Sequence, residues 1–151
     1  MSRSMPVPSS AVSRRMARTR GKDNPREREL RSALHRQGLR FRIHYAIPGT
    51  KRSIDIAFTK WRLAVFCDGC FWHGCPIHAT TPKTNQEWWK DKIATNKARD
   101  LDTDSRLTSA GWQVLRIWEH VTVDDAIALI RSQLQQISAR EPARAQRANE
   151  R

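Results

Sequence analysis

The sequence predicts a mixed α/β (α+β) domain in which a central mixed sheet is flanked by helices. Three observations lead there. Four short runs rich in β-branched and aromatic residues, RFRIHYAI, SIDIAF, RLAVFC and WQVLRIW, read as strands. Stretches with helical apolar spacing precede, separate and follow them. A length of 151 residues suits one core rather than two.

Residues 1–12, MSRSMPVPSSAV, read as a disordered leader, and no apolar segment of the signal-peptide kind follows the first basic residues. SRRMARTRGKD (13–23) suits a short basic helix carrying Met16. In NPRERELRSALHRQG, Asn24 caps a helix, Pro25 fits its first turn, Gly38 ends it, and Leu30, Ala33 and Leu34 form its apolar stripe. Strands follow at 40–47, 53–58 and 62–67, and the gap from Thr59 to Trp61 has the size of a hairpin turn. Residues 84–110 read as one long helix, opened by a Thr84/Glu87 capping box and closed by Gly111. Residues 112–118 form a strand. A last amphipathic helix carries Ile127, Ile130, Leu134 and Ile137 as its stripe. The single domain spans 13–138, and 139–151 reads as a disordered basic tail. Strand 62–67, the long helix and strand 112–118 make a crossover unit, so those two strands should run parallel. Their C-terminal ends then share one edge of the sheet, where ligand sites of open sheets form.

Composition points to the partner. The formal charge is +13, and basic residues recur through the middle of the chain as well as at its ends. Such a balance favours a polyanion, and nucleic acid is the usual one. No run reaches membrane-spanning length, so a membrane partner is not expected. Three cysteines within nine positions do not resemble a disulfide framework, which suits a cytoplasmic protein.

The chemistry concentrates in CDGCFWHGCPIH, residues 67–78. Cys70, Cys75 and His78 have the spacing C-x4-C-x2-H, which suits structural zinc. His120, two residues past strand 112–118, should arrive beside that loop as the fourth ligand. The alternative is a set of reduced core cysteines, and Cys67, on the strand itself, reads as a core or site-lining thiol. Asp55 stands between two isoleucines in a strand. That position suits either a carboxylate holding a hard cation, as Mg²⁺ is held, or a salt-bridged edge residue. In the hairpin it comes close to Cys67 and Asp68. Helical Glu27 either reaches the same edge or completes the Asn24 cap. Asp68 is a site carboxylate or a turn residue before Gly69, and His73 is a candidate general acid or base. Asn96, Lys97 and Asp100 read by themselves as a solvated helix face. Phe71, Trp72 and Trp89 pack in the core or wedge between base steps, whereas Trp88 fits the buried stripe of the long helix with Ile93.

VFCDGCFWHGCPIH, then PKTNQEWWKDKIATNKARD, then GWQVLRIWEH resemble, in order, the very short patch repair (Vsr) endonucleases. The similarity covers residues 13–120. It implies the restriction-endonuclease-like fold and a bacterial, nucleoid-associated monomer that works alongside mismatch-repair proteins. It also implies double-stranded DNA with a T:G mismatch, left by 5-methylcytosine deamination, as substrate. The strand would be nicked 5′ to the mismatched thymine with Mg²⁺, and a structural Zn²⁺ would brace the site. By position, the resemblance makes Asp55 the cation-binding aspartate and His73 the catalytic histidine. Glu27 becomes the glutamate of the N-terminal helix and Asp100 a supporting acid. Cys67 replaces a threonine that gives its backbone carbonyl to the cation, and Asp68 replaces a histidine. Cys70, Cys75, His78 and His120 match the zinc ligands, with His120 in place of a cysteine. Phe71, Trp72 and Trp89 match the intercalating aromatics, and Met16 lies in the arm that probes the opposite groove. Two other readings compete: a nuclease of the same fold without mismatch preference, and a zinc-braced DNA-binding module without catalysis. The wedge aromatics argue against the first and Asp55 against the second.

Overall fold

The computed structural model describes residues 24–70, 75–77 and 84–148. Helix α1 is Pro25–Arg36, and strands β1 (Arg42–Ala46), β2 (Ser53–Phe58) and β3 (Leu63–Asp68) follow. Helix α2 (Gln86–Ser109) leads to β4 (Gln113–Trp118), and α3 (Val123–Ala148) ends the described chain. The sheet order is β1-β2-β3-β4. The β1–β2 and β2–β3 pairs are antiparallel, and β3–β4 is parallel, as the crossover requires.

Two apolar layers cover the two faces of this sheet. Leu30, Ala33 and Leu34 of α1 and Ile127, Ile130, Leu134 and Ile137 of α3 pack with Ile56, Phe58, Leu63, Val65 and Ile117. On the other face Leu107 of α2 packs with Ile54, Ala57, Ala64 and Phe66. Both predicted stripes are buried because their 3.6-residue period keeps each on one side of its helix.

Helix α1 starts as its sequence implies. The Arg26 N–H donates to Asn24 Oδ1 at 3.1 Å, Pro25 occupies the first turn, and Gly38 just past the end has φ +77°. Helix α2 departs from expectation. It begins at Gln86 rather than 84, behind Asn85 in a left-handed conformation that makes no side-chain cap bond. With Asn85 rather than Thr84 at the cap position, Thr84 and Glu87 do not stand where a capping box needs them. Asparagine tolerates that backbone better than most residues, which allows an abrupt turn into the helix. At the other end of the molecule α3 continues to Ala148, through the stretch read as a disordered tail. The apolar stripe stops at Ile137, but the Ala, Arg, Glu and Gln beyond it favour helix on their own.

The β1–β2 connection is tied down twice. The Thr50 hydroxyl donates to the Ile47 carbonyl at 2.9 Å, and Gly49 sits at φ +76°. Arg52 then reaches α2, donating to Asp102 Oδ2 at 2.7 Å and Thr103 Oγ1 at 2.9 Å. The hairpin and the long helix are thereby held together over the same edge of the sheet.

Candidate active site and metal centre

Asp55 lies where β2 stops pairing regularly with β3; the ladder between them runs only from Ile56↔Val65 to Phe58↔Leu63. The side-chain alternation of β2 also breaks there. Ile54 and Ala57 join one apolar layer, while Ile56 and Phe58 join the other. Directly across on β1, between the pairs Ile43↔Ile56 and Tyr45↔Ile54, stands His44 with φ +48°. A non-glycine residue in that region costs roughly 1–3 kcal/mol. Glu27 arrives from the first turn of α1. One ligand atom from each of Glu27, His44 and Asp55 falls within 4.8 Å of the other two. The Arg26 N–H fills the Asn24 side-chain cap, and a Glu27 carboxylate oxygen lies in this cluster.

The electrostatics suit a cation. Burial raises the Asp55 pKa above the ordinary carboxylate value, and the Cys67 N–H, donating to Oδ2 at 2.9 Å, pulls the other way. Burial also pushes the Cys67 thiol far up, helped by Asp55 and Glu27, so it stays a neutral thiol lining the site. Two carboxylates and an imidazole drawn together in a half-buried place are a donor set for one divalent ion. They open onto a cleft of about 450 Å³, whose other wall is α2 with Lys92, Asn96, Arg99 and Asp100. Asn96 and Asp100 are thus partly buried wall residues rather than a solvated face, while Lys97 is exposed.

Asp68 has a different place from the one its sequence neighbours suggest. Successive residues of β3 point to opposite faces. Cys67 therefore joins the α1/α3 side, and Asp68 turns toward α2. There Arg116 of β4 donates to both Asp68 oxygens at 3.0 and 3.1 Å. The same guanidinium bonds Asp104 at 2.7 Å and stands 3.6 Å from Asp100 Oδ1. It also lies 4.4 Å from the centre of the Phe66 ring. Burial pulls the Arg116 pKa down, but Asp104, Asp68 and Asp100 together hold it above its ordinary value. The Asp68 carboxylate thus serves this ion-pair network beneath the cleft.

The second cluster forms where β3 and β4 end side by side. The Glu119 N–H donates to the Asp68 carbonyl at 2.9 Å, which carries the pairing past the strands and sets His120 against the cysteine loop. His120 Nδ1 lies 3.3 Å from Cys70 Sγ and 3.7 Å from Cys75 Sγ. Tetrahedral sulfur and nitrogen ligands of one zinc ion stand about 3.5 Å apart, so these donors fit zinc. Burial, with Cys75 close by, raises the Cys70 thiol pKa, and a cation would be needed to hold it as thiolate.

His73, His78, Phe71, Trp72 and Met16 lie outside the described residues. For the tryptophan pair of α2 the structure reverses the expectation. Trp89 is the buried one, at 5% exposure, and Trp88 is the more exposed, with the two rings edge to face at 4.6 Å. Sequence reasoning missed His44 and Arg116. Arg116 carries the signal that singled out Asp55, a charge between apolar residues in a strand. His44 carries none until the hairpin register is known.

The chain is similar to proteins of known family. A family model described as DNA mismatch endonuclease Vsr matches residues 8–78. The type II nicking enzyme V.NaeI of Lentzea aerocolonigenes is 43% identical over 129 residues, covering 83% of this chain and 78% of that protein. The type II nicking enzyme V.XorIIP of Xanthomonas oryzae is 41% identical over 107 residues, 69% of this chain and 76% of that protein. The DNA mismatch endonuclease Vsr of Escherichia coli is 39% identical over 100 residues, 65% of this chain and 62% of that protein.

Proposed function

The chain belongs to the Vsr family of DNA endonucleases, and we propose that it nicks duplex DNA 5′ to the thymine of a T:G mismatch, with Mg²⁺ as cofactor. The observation that carries this reading is the convergence of Glu27, His44 and Asp55 on a cleft walled by Lys92 and Arg99. A pure DNA-binding module gains nothing from setting carboxylates beside the Lys92 and Arg99 that would meet the phosphates.

In this reading Asp55 and Glu27 hold the cation, with the Cys67 backbone carbonyl beside them. When bound, the ion supplies Lewis-acid polarisation of a phosphoryl oxygen. Lys92 and Arg99 attract and orient the phosphate backbone. His73, three residues after Cys70 in the sequence, exchanges the proton of the attacking water or the leaving oxygen. Asp100 joins the cleft wall to Arg116 and so keeps α2 in register with the cation site. Cys70, Cys75, His78 and His120 would hold a zinc ion, which would brace the segment that carries Phe71 and Trp72. Those two aromatics enter the base stack where a mismatch makes unstacking least costly. On the observed burial, Trp88 rather than Trp89 is the α2 indole nearer the surface.

The test is to incubate the protein and Mg²⁺ with matched, T:G and other mismatched duplexes and to map any nick. Selective cleavage 5′ to the thymine of T:G is expected. Equal cutting of matched DNA would favour a nuclease of the same fold without mismatch preference. Binding without cutting would favour the DNA-binding module.

A further inference from the structure

We propose that His44 is itself a ligand of the cation, and that the resulting site takes Mn²⁺ in preference to Mg²⁺. This rests on reading the cleft as the nicking site and adds that the site accepts both ions, binding Mn²⁺ more tightly than the Mg²⁺ named above. Two carboxylates alone form a hard oxygen site. Adding an imidazole nitrogen shifts the preference toward first-row transition metals, which bind nitrogen donors more strongly than Mg²⁺ does.

Three features of the fold support His44 as a ligand. Its ring nitrogen, a Glu27 oxygen and an Asp55 oxygen lie within 4.8 Å of one another. Donors on opposite sides of one ion stand about 4.2 Å apart, so small side-chain shifts close this set. The three residues also come from three elements, α1, β1 and β2, and meet on the wall of one cleft. Finally, His44 holds a left-handed backbone at the point where β2 opposite it loses its alternation. Glycine or asparagine would fit that backbone with less strain. Strain kept at a residue facing two carboxylates is the pattern of a functional site. His44 and Asp55 stand opposite one another in the hairpin register, and their irregularity falls on the cleft wall that Glu27 also lines.

The experiment titrates the full-length protein with MnCl₂ and MgCl₂ by calorimetry, without DNA. One equivalent of zinc is added first to occupy the thiols. Pulsed EPR of the Mn²⁺ complex then reports any directly bound nitrogen. Wild type should bind Mn²⁺ more tightly than Mg²⁺ and show nitrogen coupling. His44→Gln should lose that coupling and weaken Mn²⁺ binding about tenfold or more, no less than the loss of a partner of a metal ligand costs. It should leave Mg²⁺ affinity within about threefold, because Mg²⁺ prefers oxygen and keeps its waters. Should His44→Gln fail to fold, His44→Asn carries the same test on a side chain that tolerates the left-handed backbone. Asp55→Asn separates the two ideas. Loss of both metals in Asp55→Asn with unchanged Mn²⁺ affinity and nitrogen coupling in the His44 variant overturns the His44 assignment alone. Wild-type metal binding in Asp55→Asn overturns the cation site and the inference with it.

Discussion

Asp55 shows what a single carboxylate can do when its surroundings work against its charge. Burial raises its pKa, so the folded protein holds the proton more tightly than the unfolded chain does. Stability therefore falls as pH rises from the unfolded value through the folded one. Above that window burial of this group is a cost to the fold, and Asp55→Asn removes it. The amide oxygen still accepts from the Cys67 N–H. The variant should melt no lower than wild type in the absence of added Mg²⁺, bind T:G duplex with unchanged affinity, and lose at least ~10³-fold in nicking rate. Near-normal cleavage would remove Asp55 from the chemistry; a clear drop in melting temperature would show that its charge supports the fold. At this scale the sequence is legible where a residue breaks its pattern. Asp55 between isoleucines and the clustered Cys70 and Cys75 are visible without coordinates. His44 is not, because its role depends on which residue the hairpin sets opposite it.

Elements explain why Asp55, inside β2, and Asp68, at the end of the adjacent β3, have different surroundings. The two-residue period of β3 turns Asp68 toward α2, and there Arg116 connects β4, β3 and α2 through Asp68, Asp104 and Asp100. Arg116→Met should leave the nearly buried Asp68 carboxylate without its main counter-charge. Breaking a buried pair in this way costs about 3–5 kcal/mol, which lowers the melting temperature by roughly 10 °C in a chain of this size. Thermal denaturation followed by circular dichroism measures it. A shift of only one or two degrees would show the network to be a solvated ornament. The hairpin, the crossover and the helical stripes are legible because each follows from period and turn length. The start of α2 and the far end of α3 are not. The first depends on one asparagine in a left-handed conformation, and the second on helix propensity beyond the reach of the apolar stripe.

Across the whole molecule, a charge of +13 predicts binding to matched duplex that weakens steeply with salt. A footprint of about six phosphates gives a loss near 10³-fold between 50 and 200 mM salt. Fluorescence anisotropy at several salt concentrations measures the slope. A slope near zero would place the basic residues away from the DNA. The two clusters also differ in how much chain separates their parts. Glu27, His44 and Asp55 come from consecutive elements, α1, β1 and β2, joined by short connections. The zinc-type cluster needs His120 to find Cys70 across a separation of 50 residues, through a parallel pairing that waits for the whole of α2. Local antiparallel pairing forms quickly and distant parallel pairing slowly, and a chain leaving the ribosome presents its N-terminal part first. During synthesis, then, His44 and Asp55 can pair early, but Glu27 rides on α1, whose apolar stripe packs against α3, the last helix to be made. Both clusters therefore wait for the C-terminal third of the chain.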